Sequence, residues 1–277
     1  MMKLEKSSLR LSIFINLLVS AIKIVGGIFF NTFTLVIDGI YTVSDLVTDF
    51  FALIGIQIGR RRANKNYPYG YGRIFFVILL FMGIIAIMVG VFVIYLSFNI
   101  DYQKPSLWII LIIIGVVLLK LYSAHNLFKV GMKTKSDLLI ASSLESKMEA
   151  YSSLALIFIV LLSLFVPKID MIGGILIAIL LIWQALKVIK ENISFLIGIT
   201  YDNGIIEDRV RKITKKYRII DVADVSIMKD GPYYQIILTV KARRNVKVAS
   251  LIRAQNKIKK ELKATTLGLK FIEFHIT

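Results

Sequence analysis

The chain has 277 residues, 57% of them hydrophobic and 19% charged, with a mean hydropathy of +0.74 and a formal net charge of +17. A soluble globular protein carries about 25% charged residues, so a single water-soluble domain is excluded. The absence of cysteine excludes a disulfide framework and a thiolate metal site. On a soluble chain such a charge would point to nucleic acid, but no recognition motif accompanies it. Lys and Arg on cytoplasmic loops, facing anionic headgroups, account for it without a nucleic-acid partner.

The chain opens with MMKLEKSSLRLSIFINLLVSAIKIVGGIFF, a basic start followed by an apolar run. It lacks a small-residue cleavage site and is long enough to span, so it reads as a first transmembrane helix rather than a removed signal peptide. A bilayer core needs about 20 apolar residues in a helix. Six stretches qualify, near 10–30, 34–59, 74–98, 106–130, 138–166 and 171–195. Helices are expected because other spanning segments leave backbone groups unpaired in lipid.

The connections alternate in charge. Lys3, Lys6 and Arg10 precede the first span; Arg60, Arg61, Arg62, Lys65 and Arg73 follow the second; Lys129, Lys133 and Lys135 follow the fourth. The other connections, Asn31-Thr32, 99–104 and 167–170, are short and poor in basic residues. The positive-inside rule then places both termini in the cytoplasm of a multi-pass protein in the plasma or inner membrane.

From Thr200 the character changes. Residues 204–217 and 247–263 show apolar spacings of a surface helix. Val222–Ile227 and Tyr234–Val240 alternate as strands around an Asp230-Gly231-Pro232 turn signal, and Leu269–Ile276 ends the chain as a strand. The expected fold is a six-helix all-α membrane domain over 1–199 and a small α+β domain, ordered α-β-β-α-β, over 200–277.

Ionisable residues inside a membrane helix are costly and therefore functional candidates. The second span carries Asp38, Asp45 and Asp49; the fifth carries Glu145, Lys147 and Glu149. Tyr41 and Asp45 are four apart and share a helix face, as do Glu145 and Glu149. Two such pairs on facing helices would gather oxygen ligands for a divalent cation. The competing reading pairs these acids with Lys23, Lys120, Lys147 or Lys187 to hold helices together. Asp38 suits a capping or hydrogen-bonding role equally well, and Asp49 an inner pathway or an ion pair. Gly55 and Gly59 form a small-xxx-small pair that permits close helix packing. The third and sixth spans look almost featureless.

At this point the chain resembles the cation diffusion facilitator family of metal–proton antiporters. The carriers of the resemblance are FTLVIDGIYTVSDLVTDFFALIGIQIGRRRANKNYPYGYGR, ASSLESKMEAYSSLA at 141–155 and the tail motif DGPYYQIILTV, in the family's order. The resemblance implies a homodimer, a ferredoxin-like cytoplasmic dimerisation domain, and export of divalent metal driven by inward proton flow. It puts the metal ligands at Tyr41, Asp45, Glu145 and Glu149, with Asp45 and Glu145 coupling to protons. Nothing in it implies a permanently bound cofactor or an enzymatic reaction. The divalent cation is the substrate, with manganese, iron(II), zinc and cadmium all candidates.

The departures from the family pattern bear on the ion. Zinc-transporting members usually hold His or Asp where this chain has Tyr41, and His where it has Glu145. Zinc favours His, Cys and carboxylate, whereas an oxygen-only set suits manganese or iron(II). The loop slots of some members fall on Asn64, Tyr67 and Tyr71, and the cytoplasmic histidine slots on Thr239 and Gln255, leaving His275 alone. His125 reads as an interface or packing residue. The runner-up is a non-transporting sensor or scaffold of the same family, motivated by the missing histidines; retained buried acids oppose it. A passive channel would need a continuous polar pore.

Overall fold

The computed structural model describes residues 2–61, 63–134, 137–201, 204–217, 220–231, 233–242, 246–266 and 268–276. Arg62, Lys135 and Pro232, used above, lie outside the described residues, as do the side chains of Lys3 and Lys6. Six long helices come first: α1 (Met2–Phe29), α2 (Phe33–Gly59), α3 (Ile74–Ser97), α4 (Trp108–Thr134), α5 (Asp137–Ser163) and α6 (Lys168–Ile197). All six are long and apolar enough to cross a membrane. The small domain follows as α7 (Gly204–Thr214), β1 (Ile220–Asp230), β2 (Tyr233–Ala242), α8 (Val248–Thr265) and β3 (Leu269–Ile276). The expected element order holds throughout; α1 begins well before its expected span, α4 runs past its expected end, α5 stops short of its own, and α6 is longer at both ends.

The chain forms two compact units, Met1–Phe50 with Met82–Lys187, and Phe51–Phe81 with Val188–Thr277. The first is a bundle whose apolar core joins Leu35 of α2, Ile109, Ile113 and Val117 of α4, and Leu156 and Val160 of α5. Large apolar side chains such as Phe92, Trp108, Phe158 and Trp183 point outward. A lipid-facing surface requires this, because there the surroundings are as apolar as the core. Glycine lets α1 and α2 approach closely: a methyl on Gly39 would meet the backbone and side chain of Ile24 and the Lys23 stem.

The α1–α2 turn is tight. Asn31 takes a positive φ of 53°, which Asn tolerates better than most residues. The first free amides of α2 are met from another helix: the Asp170 carboxylate accepts from Phe33 N and, at 3.0 Å, from Thr34 N, while Thr34 Oγ1 donates to Asp170 O at 2.7 Å. A helix start leaves such donors orphaned, so Asp170 of α6 works as an N-cap supplied in trans.

In the second unit, Gly55 brings α2 onto α3, where an added methyl would stand 3.2 Å from Phe75 Cα. Of the Gly55–Gly59 pair, Gly55 makes the close helix contact, while Gly59 faces Gly72 of the α2–α3 loop. The sheet order is β1-β2-β3, with β1 and β2 antiparallel and β2 and β3 parallel through the α8 crossover. Its core gathers Ile206 and Val210 of α7, Ile236, Leu238 and Val240 of β2, and Ile258 and Leu262 of α8. Lys216 and Tyr217 both hydrogen-bond Glu261 at 3.0 Å and hold its carboxyl below the usual range. Gly231 turns the β1–β2 hairpin at φ 65°, a conformation glycine adopts freely. Buried Asp230 pairs with Lys270 Nζ at 2.9 Å, and a methyl on Gly72 would overlap its carboxylate, so the α2–α3 loop fits against this sheet edge.

Candidate metal centre

Tyr41 and Asp45 lie one turn apart on α2, and Glu145 and Glu149 one turn apart on α5. All four line a single cavity of about 480 Å³, together with Asp38 and Thr42 of α2, Met148 and Ser152 of α5, and Ile177, Leu180 and Gln184 of α6. Helical periodicity explains the α2 contribution: positions 38, 41, 42 and 45 recur at three and four residues. The side chains are half-buried or exposed on the open cavity wall, except Asp38 and Thr42, which are buried. Asp45 lies within electrostatic reach of Glu145, Glu149 and Asp49. Among the described residues, no three His, Asp or Glu side chains are drawn tightly enough together to grip one ion. The acids face a shared space without closing on its centre.

Several partners are set by neighbouring helices. Tyr41 Oη donates to Gln184 Oε1 on α6. Glu149 pairs with Lys120 of α4, whose Nζ also donates to Asn16 Oδ1 of α1 at 2.7 Å. Asp38 pairs with Lys23 of α1 at 2.7 Å, and Lys23 Nζ reaches Thr42 Oγ1 at 3.5 Å. Both lysine side chains are 1% exposed or less, so each ammonium has been moved out of water onto a carboxylate. Two of the expected interhelical pairings, those of Lys23 and Lys120, are therefore present beside the cavity. Lys147 and Lys187 are exposed.

The expectation of a featureless sixth span fails. Gln184 lines the cavity and Asp170 caps α2, both from α6. The signal was a lone amide in ILLIWQALKV and an acid at the start of the span; polar side chains in such runs seldom lack a partner. A second feature has a simple periodic signature. Ser8, Ser12 and Asn16 recur every four residues on α1 and meet Asn126 at 3.4 Å, Ser123 at 3.3 Å and Lys120 of α4. This buried polar seam ends at Glu149.

The residues at the loop slots build structure instead. Asn64 Oδ1 accepts from Asn66 N at 3.0 Å and Tyr67 N at 2.8 Å, an Asx turn, and Asn64 Nδ2 donates to Tyr71 Oη at 2.9 Å. Thr239 and His275 are register partners on β2 and β3, with His275 exposed. His125 is exposed on α4, so the expected packing role is not seen within this chain.

Comparison with known proteins agrees with this architecture. Residues 9–197 match the model of the cation efflux transmembrane domain. An uncharacterized transporter of Methanocaldococcus jannaschii is 26% identical over 270 residues, 95% of each chain. The manganese efflux system protein MneS of Bacillus subtilis is 26% identical over 69% of this chain and 68% of its own. A cadmium, cobalt and zinc/H(+)-K(+) antiporter of Bacillus subtilis is 26% identical over 74% of this chain and 68% of its own. With the family match spanning all six apolar helices, the chain belongs to the cation diffusion facilitator family, whose members are cation efflux transporters rather than enzymes.

Proposed function

We propose that this membrane protein exports a divalent metal cation from the cytoplasm in exchange for protons, binding it with Tyr41, Asp45, Glu145 and Glu149. The observation that carries the reading is the single cavity that all four side chains line. Carboxylates bind metal only when deprotonated, so ion and proton compete for the same oxygens. Asp45 and Glu145 are the proton-coupled pair, since Glu149 already holds a lysine. Tyr41, hydrogen-bonded to Gln184, offers a weak neutral oxygen or steadies the wall.

The lining contains oxygen donors and the Met148 thioether, with no imidazole or thiolate. Such a set suits manganese or iron(II) better than zinc. We assign the protein to the plasma or inner membrane as a homodimer with both termini in the cytoplasm. The orientation is supported by Lys and Arg on alternate connections; the homodimer rests on the family resemblance.

The test is exchange in proteoliposomes. Manganese, iron(II), zinc, cadmium and magnesium are supplied side by side while a pH-sensitive dye reports proton movement. Glu145→Ala with Glu149→Ala is expected to abolish coupled exchange. Retention of metal–proton exchange in that double variant defeats the assignment.

A further inference from the structure

Glu149 cannot be treated as a free ligand. Its carboxylate takes the Lys120 ammonium, and Lys120 is fully buried between α1, α4 and α5. Removing an ammonium and a carboxylate from water is expensive unless each stays paired and hydrogen-bonded. The ammonium has a second acceptor, Asn16 Oδ1 at 2.7 Å. Asn16 belongs to the serine–asparagine face of α1, whose partners on α4 fix the seam on which Lys120 sits. Lys120 thus stands behind one wall of the cavity, tethered to a carboxylate that the other side presents to an incoming ion.

We propose that Lys120 is a positioning residue: a built-in counter-cation that occupies Glu149 in the metal-free protein and that a divalent ion must displace to use that carboxylate. The inference rests on the metal-binding reading above. With Lys120 on Glu149, the charges left open on the wall are those of Asp45 and Glu145, enough to neutralise one divalent ion. Full use of Glu149 requires the ammonium to retreat onto Asn16. Lys120 therefore weakens ion binding, and an exporter needs this because an ion held by three free carboxylates leaves slowly. Asn16 acts in the opposite sense, as the resting place that makes displacement cheaper.

Opposite signs make the idea testable. The full chain, in detergent micelles, is titrated with Mn²⁺ and Cd²⁺ by calorimetry, with thermal unfolding of each variant as a check on folding. K120M is expected to bind the ion more tightly, on the order of tenfold, the size of a typical coupling between two interacting groups, and to slow turnover in proteoliposomes. N16L removes the Asn16 acceptor onto which Lys120 would retreat, so it is expected to bind the ion more weakly by a similar factor. In an E149Q background, K120M is expected to change nothing, because the group through which Lys120 acts is gone. Should K120M not fold, N16L and the E149Q pair carry the test alone. Unchanged or weaker binding in folded K120M, or tighter binding in N16L, overturns the proposal. A purely structural clamp would weaken binding in both. Absence of ion binding by the wild type sinks the metal reading and this one together; wild-type binding unaltered by K120M and N16L sinks only this one.

Discussion

Lys23 and Asp38 show how much a single buried charge depends on its partner. Lys23 Nζ stands 2.7 Å from Asp38 Oδ2, with the two side chains 1% and 6% exposed. Breaking a buried pair by removing one member leaves an uncompensated charge and costs about 3–5 kcal/mol. Lys23→Met is therefore expected to lower the unfolding temperature in detergent sharply. Adding Asp38→Leu is expected to recover most of that loss, since two apolar groups need no counter-charge. A Lys23→Met protein as stable as the wild type would show that Asp38 finds water or another partner. Asp38 lines the cavity yet is already neutralised, which separates it from Asp45, seven residues away on the same helix face.

Elements are joined here by side chains that finish one another's hydrogen bonding. Asp170 opens α6 but caps α2, and α2 carries Tyr41 and Asp45. Nearby, Tyr102 packs edge-on against Phe33 at 5.7 Å and donates to Ser97 O at 2.7 Å. Burial pushes its phenol up to about 12, so it stays a neutral donor over the whole physiological range. Asp170→Ala leaves the amides of Phe33 and Thr34 without acceptors, at an expected cost of about 1–3 kcal/mol. Asp170→Asn keeps one acceptor oxygen and should lose less. Thermal unfolding compares the two, and equal stability of Asp170→Ala and wild type would remove the cap from the account. Hydrogen exchange at the α2 start should rise in the alanine variant.

For the whole molecule, the proposed exchange of metal for protons makes a prediction about pH. If both compete for Asp45 and Glu145, protons on the cytoplasmic side must slow metal loading, and protons outside must speed the return of the empty site. In proteoliposomes with the cytoplasmic face outward, manganese uptake is expected to rise when the lumen is acidified and to fall when the external medium is. Uptake indifferent to either pH would leave metal transport without proton exchange. Lys120 apart, most of the basic residues behind the +17 charge lie on the connections and in the small domain, away from Asp45 and Glu145.

Much of this was legible in the order of residues. Six helices and the α-β-β-α-β tail follow from apolar run length and periodicity, because the bilayer forces the first and a one-sided core the second. The Tyr41–Asp45 and Glu145–Glu149 pairs were readable from their four-residue spacing, which fixes a shared helix face wherever the helix goes. Spacing along one helix, however, says nothing about which neighbour it meets. Tertiary packing alone put Lys120 rather than Lys147 on Glu149, brought Gln184 to Tyr41, and made Asp170 the cap of a helix more than a hundred residues earlier. Those choices depend on how six helices rotate and cross, which is set by the sum of many weak contacts and not by any local pattern.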